Sequence, residues 1–168
     1  MRKSIISAIG IIAALALVLC SCSGGGSQQT AVSMYDLKGA MEGATTRFEE
    51  MSYVSSEDAD ADVLFTNVSD MDYSKVESFF IYYATNGTGN ADELAVIQVK
   101  NAADITEARQ SLEAHLAKRK SLYSTYDKTQ LKKLDGARVE VEGNCAALIA
   151  CDEAAKVSDA FHTFFNGD

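Results

Sequence analysis

A two-residue turn constrains this chain more than any other feature. Gly143-Asn144 separates Ala137-Arg-Val-Glu-Val-Glu142, which alternates apolar and charged residues, from the apolar run Cys145-Ala-Ala-Leu-Ile-Ala-Cys151. Alternation with a period of two is the pattern of a half-buried strand, and a Gly-Asn pair between two such runs is a hairpin turn. The turn pairs Glu142 with Cys145, and therefore Val139 with Leu148. Cross-strand partners share a face. The Val139 face should carry helices. The opposite face sets Arg138 and Glu140 beside Ile149 and Ala147, and should be partly wet.

A second hairpin precedes it. Ser78-Phe-Phe-Ile-Tyr-Tyr-Ala84 is aromatic and β-rich, Thr85 to Asp92 is rich in turn residues, and Glu93 to Lys100 returns as a strand. Each hairpin is followed by a helix. Ile105, Ala108, Leu112, Leu116, Arg119 and Tyr123 mark a long one, and Ala154, Val157, Phe161, Phe164 and Phe165 a shorter one that Asn166-Gly167 ends. A shift of 52 positions lays Leu94–Val99 over Ala146–Cys151 and Ala103–Ala108 over Ala155–Ala160, with similar residue character throughout. This reads as a ββα unit used twice. Two amphipathic units can also look alike because the same physics acts on both.

Before the hairpins, Ser33-Met-Tyr-Asp36 has the form of a helix N-cap, and Leu37, Met41, Ala44, Phe48 and Met51 recur at helical spacing. The acidic stretch Ser55–Asp62 reads as a short helix capped by Ser55 or Ser56. The fold class that follows is α+β. It is an antiparallel four-stranded sheet from two ββα units with helices packed on it, plus an N-terminal helix, forming one domain over 33–168.

The first 32 residues do not belong to that domain. Arg2 and Lys3 precede an apolar run from Ile5 to Leu19, interrupted only by Ser7 and Gly10. This is the layout of a signal peptide, and the run is shorter than the ~20 residues a spanning helix needs. Leu19-Cys20-Ser21-Cys22 resembles a lipobox, in which a small residue directly precedes the lipidated cysteine. Ser21 before Cys22 meets that demand, and Leu19 before Cys20 does not. The expectation is a signal over 1–21, lipid on Cys22 and a Ser/Gly-rich tether over 22–32. An uncleaved anchor is the alternative, and either one places the domain outside the cytoplasm. The chain carries 24 acidic against 15 basic residues, a net charge of -9, and it loses Arg2 and Lys3 with the signal. Such a surface repels phosphate backbones, so nucleic acid is not an expected partner.

Chemistry-bearing motifs fall short one by one. Asp58-Ala-Asp60-Ala-Asp62 resembles the start of a calcium loop, but Val63 and Ser69 stand where Gly and Glu are required. His115 and His162, at the borders of two helix stripes, form no metal-ligand pair with each other or with a cysteine. Cys145 and Cys151 lie six strand residues apart, roughly 20 Å, whereas a disulfide needs Cα atoms within about 7 Å. They read as small buried hydrophobes. The Thr85–Asn90 loop leads into Asp92, Glu93 and a strand rather than a helix, unlike a phosphate cradle. No catalytic residue, cofactor or metal site is expected. Phe80 and Tyr82, on one face of the aromatic strand, form a possible interaction surface, unless the N-terminal helix or Tyr123 and Tyr126 cover them.

Asp92-Glu-Leu-Ala-Val-Ile97, the long helix after Asp104, Tyr126, Gln130 and the Gly143-Asn144 hairpin resemble a family of lipoproteins of Gram-positive anaerobes that carry a domain of unknown function (domain of unknown function 4358). The likeness runs from about Phe79 to Phe161. It departs at Lys128, where Pro is expected, and at Cys145, where an aromatic is expected. It implies a lipid-anchored location and an α+β fold, and no reaction. Two functions from different classes remain. One is a membrane-tethered module without catalysis that binds an envelope protein or a small ligand. The other is a cell-envelope hydrolase using surface carboxylates.

Overall fold

The computed structural model describes residues 32–85 and 90–167. The signal segment with Leu19, Cys20, Ser21 and Cys22, most of the tether, and part of the first hairpin loop lie outside them.

Helix α1, Met34–Glu42, starts where the Ser33 hydroxyl accepts the Asp36 N–H at 3.3 Å. Leu37 and Met41, one turn apart, are buried. The helix stops at Gly43, so Phe48 and Met51 do not extend it, contrary to their spacing. They lie in irregular chain that still turns toward the same core. Strand β1, Ser52–Ser55, follows where no strand was expected. Asp58 accepts the Ser55 N–H at 2.7 Å and the Ser55 hydroxyl accepts the Glu57 N–H at 3.2 Å. Ser55 thus closes a strand instead of opening a helix, and α2 begins later, at Ala61–Phe65.

The remaining elements are β2 Val76–Tyr83, β3 Glu93–Val99, α3 Ile105–Tyr126, α4 Leu131–Asp135, β4 Arg138–Glu142, β5 Cys145–Ala150 and α5 Ala154–Asn166. The strands form an antiparallel sheet of five, in the order β1-β2-β3-β5-β4. The expected four are present, and β1 adds a fifth along β2. The class is α+β as expected.

The second hairpin has the register its turn dictates, with Glu142 opposite Cys145 and Val139 opposite Leu148. Gly143 takes φ +56°, which a two-residue turn of this kind requires at its first position. A Cβ there would meet only Phe165 at an ordinary 3.8 Å, so the backbone, not space, demands glycine. Asn144 ties the turn to β3 through its side-chain amide, which donates to the Val99 carbonyl at 2.8 Å.

Helices cover both faces, which corrects the one-sided picture. On one side α2 and α3 pack over Phe79, Ile81, Ala95, Ile97, Ala146 and Leu148. On the other, α1 and α5 pack over Phe80, Tyr82, Leu94, Val96, Ala147 and Ile149. Every residue of β3 and β5 is buried. The face expected to be wet is open only at its two edges, along β4 and at Tyr53 of β1. Along β4, Glu140 accepts the Ser158 hydroxyl at 2.9 Å and Glu142 meets His162 at 2.6 Å.

This arrangement also decides the 52-residue repeat. A half-turn about the sheet normal carries β2-β3 onto β4-β5 and reverses strand direction, as the order requires. The same half-turn leaves each helix on its own face, yet α3 and α5 lie on opposite faces. No rotation superposes the two ββα units. Their likeness in sequence comes from equal burial demands, not from a repeated three-dimensional unit.

Candidate functional site

A constellation of charge that reaches from the interior to two open clefts lies where β3 begins and β5 ends. Asp92 sits at its centre with 1% of its side chain exposed. The Arg47 guanidinium, from the turns after α1, meets Asp92 Oδ2 at 3.0 Å. Lys133 of α4 meets Oδ1 at 2.6 Å. That contact lies off the hydrogen-bonding direction, so Oδ1 is neutralised by charge without a directed bond. Asn90 bridges the group. Its amide donates to Asp92 Oδ2 at 2.9 Å, and its carbonyl oxygen accepts from Lys133 at 2.6 Å. Gln130 accepts the Ala91 N–H and Tyr123 donates to the Asn90 carbonyl, both at 3.1 Å, which pins this stretch against α3 and the α4 region.

A second carboxylate joins from the far end of β5. Asp152 accepts from the same Arg47 nitrogen at 2.8 Å and keeps 60% of its side chain in solvent. Two cations and two carboxylates therefore neutralise one another. An isolated ion this deep would cost several kcal/mol, so mutual pairing is the condition for burying Asp92 at all.

Arg47 divides two open clefts. One, of about 460 Å³, is acidic, with Glu49 and Glu50 on its walls. The other, of about 730 Å³, is basic, with Lys132, Lys133 and Arg138 on its walls. Cys151 borders the basic cleft, but burial beside Asp92 and Asp152 pushes its thiol up to about 11. Cys145 lies deeper, and burial pushes it up to about 12. Both shifts favour the protonated thiol over the nucleophilic thiolate near neutral pH. Both are free thiols.

Glu93, the next residue, anchors a separate cluster on the other face. His115 approaches it at 2.8 Å and Arg119 at 2.9 Å, both from α3. The second histidine-bearing site, His162 with Glu140 and Glu142, fastens α5 to the β4 edge.

Phe80 and Tyr82 do not form an exposed surface. They are 2% and 6% exposed, because α1 covers them as the alternative reading had it. The Tyr82 hydroxyl donates to Glu42, and Lys38 donates to both. Burial, then the Glu42 bond, push Tyr82 up to about 12. Burial lowers Lys38, but its bonds to Glu42 and Tyr82 outweigh that and hold it above its ordinary value. The aromatic rings that do reach solvent beside this group are Tyr35 of α1, Tyr53 and Tyr83.

Sequence reasoning missed the Asp92 cluster altogether. Its members come from positions 47, 90, 92, 133 and 152, with no spacing to reveal them. The available signal was an acidic pair opening an otherwise apolar strand, which is costly unless cations wait on both sides.

The molecule is thus an α+β domain with a central sheet buried on both faces and a charge-lined cleft at one end of it. The chain belongs to a family described as a domain of unknown function (DUF4358), whose model matches residues 49–151. The match includes β1 and α2, which the sequence resemblance left out, and stops before α5. No curated protein matches the chain, and no solved structure does. Among the described residues no helix is long and apolar enough to cross a membrane.

Proposed function

We propose that this chain is an extracytoplasmic lipoprotein, tethered to a membrane by lipid on Cys22, whose domain binds a small ligand or an envelope partner without chemistry of its own. The observation that carries the reading is the order of segments before the domain. A cationic start, an apolar run too short to span, Ser21 before Cys22 and a polar tether occur in that sequence. The cleft supports the absence of chemistry. Its buried carboxylate and lysine are already paired, and its neighbouring thiol is protonated. A cell-envelope hydrolase is the second reading, favoured by the convergence of Asp92 and Asp152. Both approach one Arg47 nitrogen, so the guanidinium fills the space that a reacting bond needs.

Replacing the anchor tests the proposal. Cys22→Ala should abolish metabolic labelling with fatty acid, and either release the domain into the medium or leave the precursor uncut. Lipid on the variant, or modification at Cys20 by mass spectrometry, overturns the assignment.

A further inference from the structure

We infer that the basic cleft between α4 and the start of α5 binds the phosphate group of a small phosphate ester; this inference rests on the binding-module reading above. The chain as a whole is strongly acidic, with a net charge of -9, yet this one concavity gathers Arg47, Lys132, Lys133 and Arg138 around a single exposed carboxylate, Asp152. Arg47 and Lys133 are engaged by Asp92 and Asp152. Lys132 has no hydrogen bond or ion pair among the described residues. Arg138 has only a loose contact with Glu140 at 3.7 Å. The cleft therefore presents two cations beyond those its own carboxylates neutralise, a match for the two charges of a phosphate monoester.

The backbone adds to this. The first turn of α5, a helix of 13 residues, has no side-chain cap, and its Ala155 lies in the cleft wall. The N–H groups of Ala154, Lys156 and Val157 already donate to the Cys151 and Glu153 carbonyls, so this helix start offers an anion chiefly the positive end of its dipole, at the Ala155 wall of the cleft. Glu153, the nearest acid, is occupied elsewhere by Thr45 and Lys156. A cleft of about 730 Å³ takes a small solute and not a macromolecular face. Asp152 already seats one carboxylate on Arg47, so the same guanidinium is within reach of an oxyanion.

The test uses the processed, lipidated chain in nonionic micelles. Glycerol 1-phosphate is titrated by calorimetry, with glycerol as the uncharged control. In a second arm, phosphatidic acid, whose headgroup is itself a phosphate monoester, is mixed into the micelles, so that a headgroup phosphate is distinguished from a free ester. Binding in either arm, absent with glycerol and weakened about tenfold or more by Lys132→Glu and by Arg138→Glu, is the expected result. Lys118→Glu, an exposed change on α3, should leave affinity unaltered. Circular dichroism and melting temperature confirm that each variant is folded. The inference is overturned if neither phosphate source binds at millimolar concentration, or if affinity survives the Lys132→Glu, Arg138→Glu double variant. Lipid labelling at Cys22 is read on the same preparation. Loss of phosphate binding with labelling intact removes the ligand class alone, whereas loss of labelling removes the tethered-lipoprotein reading.

Discussion

Asp92 and Glu93 are adjacent, both are almost fully buried, and each is neutralised by two basic groups. They differ in where those groups come from. His115 and Arg119 stand four apart on α3, so one helix face delivers both to Glu93. Arg47 and Lys133 come from distant parts of the chain, each meets Asp92 directly, and Asn90 adds a bridge between Lys133 and Asp92. The first site is a helix docking on a sheet. The second is a junction of loops and helix ends, and it opens into two polar clefts, whereas Glu93 borders a smaller cleft lined mostly by apolar residues. Sites joined from several loops are where binding function collects, because their scaffold is fixed while their rim can vary.

The comparison has energetic content, and the larger effect belongs to Asp92. Asp92→Asn leaves the Lys133 ammonium, 8% exposed, beside a neutral amide. Removing one partner of a buried pair typically costs about 3–5 kcal/mol. Urea unfolding of the processed protein at pH 7 measures it. A loss below about 1 kcal/mol would mean that water reaches Lys133 and that the cluster is not a buried one.

Glu93→Gln should cost less, about 2 kcal/mol, in line with a hydrogen bond to a charged group. His115 and Arg119 keep 16% and 14% of their side chains in solvent, against 8% for Lys133, so the groups left behind here are less stranded. Arg119 keeps its stacking on Tyr123, 5.7 Å from the ring centroid. The same unfolding experiment ranks the two sites. If Glu93→Gln proves the costlier change, the helix-delivered site is the more tightly built, and the contrast drawn above is reversed.

Legibility in the sequence follows the same division. The spacing of Ala108 and Leu112 showed α3, and Gly143-Asn144 showed a hairpin with its register, because each signal is local. Strand β1 was hidden. It has four residues with serine at both ends, and Phe48 and Met51 before it imitate a helical stripe by pointing inward from irregular chain. The number of covered faces was hidden too. Arg138 and Glu140 argued for water on their side, but they lie on an edge strand, and their neighbours Ala147 and Ile149 on the inner strand are covered. The anchor signal is as local as the hairpin, while the Asp92 cluster depends on tertiary contact from beginning to end.

The smallest effect should come from the third carboxylate site, which keeps the chemistry of the Glu93 cluster but sits near water. His162 meets Glu142 at 2.6 Å and Glu140 at 3.4 Å, with 35% of its side chain exposed. The Glu142 hydrogen bond, opposed by some desolvation and aided by both charges, raises its pKa above the ordinary histidine value. The sign of the pH effect follows from that direction. A proton bound more tightly in the folded chain stabilises it fully below the ordinary value of about 6.5, and this contribution fades as pH rises through the raised value. Solvent screening keeps it small, below about 1 kcal/mol. The check is the stability difference between the native chain and His162→Gln, measured by urea unfolding from pH 5.5 to 8.5. The native chain's advantage should shrink over that range. An advantage that grows with pH would mean the carboxylates of Glu140 and Glu142 do not hold the imidazolium. The clamp between α5 and the β4 edge would then rest on the Ser158–Glu140 bond and on apolar packing alone.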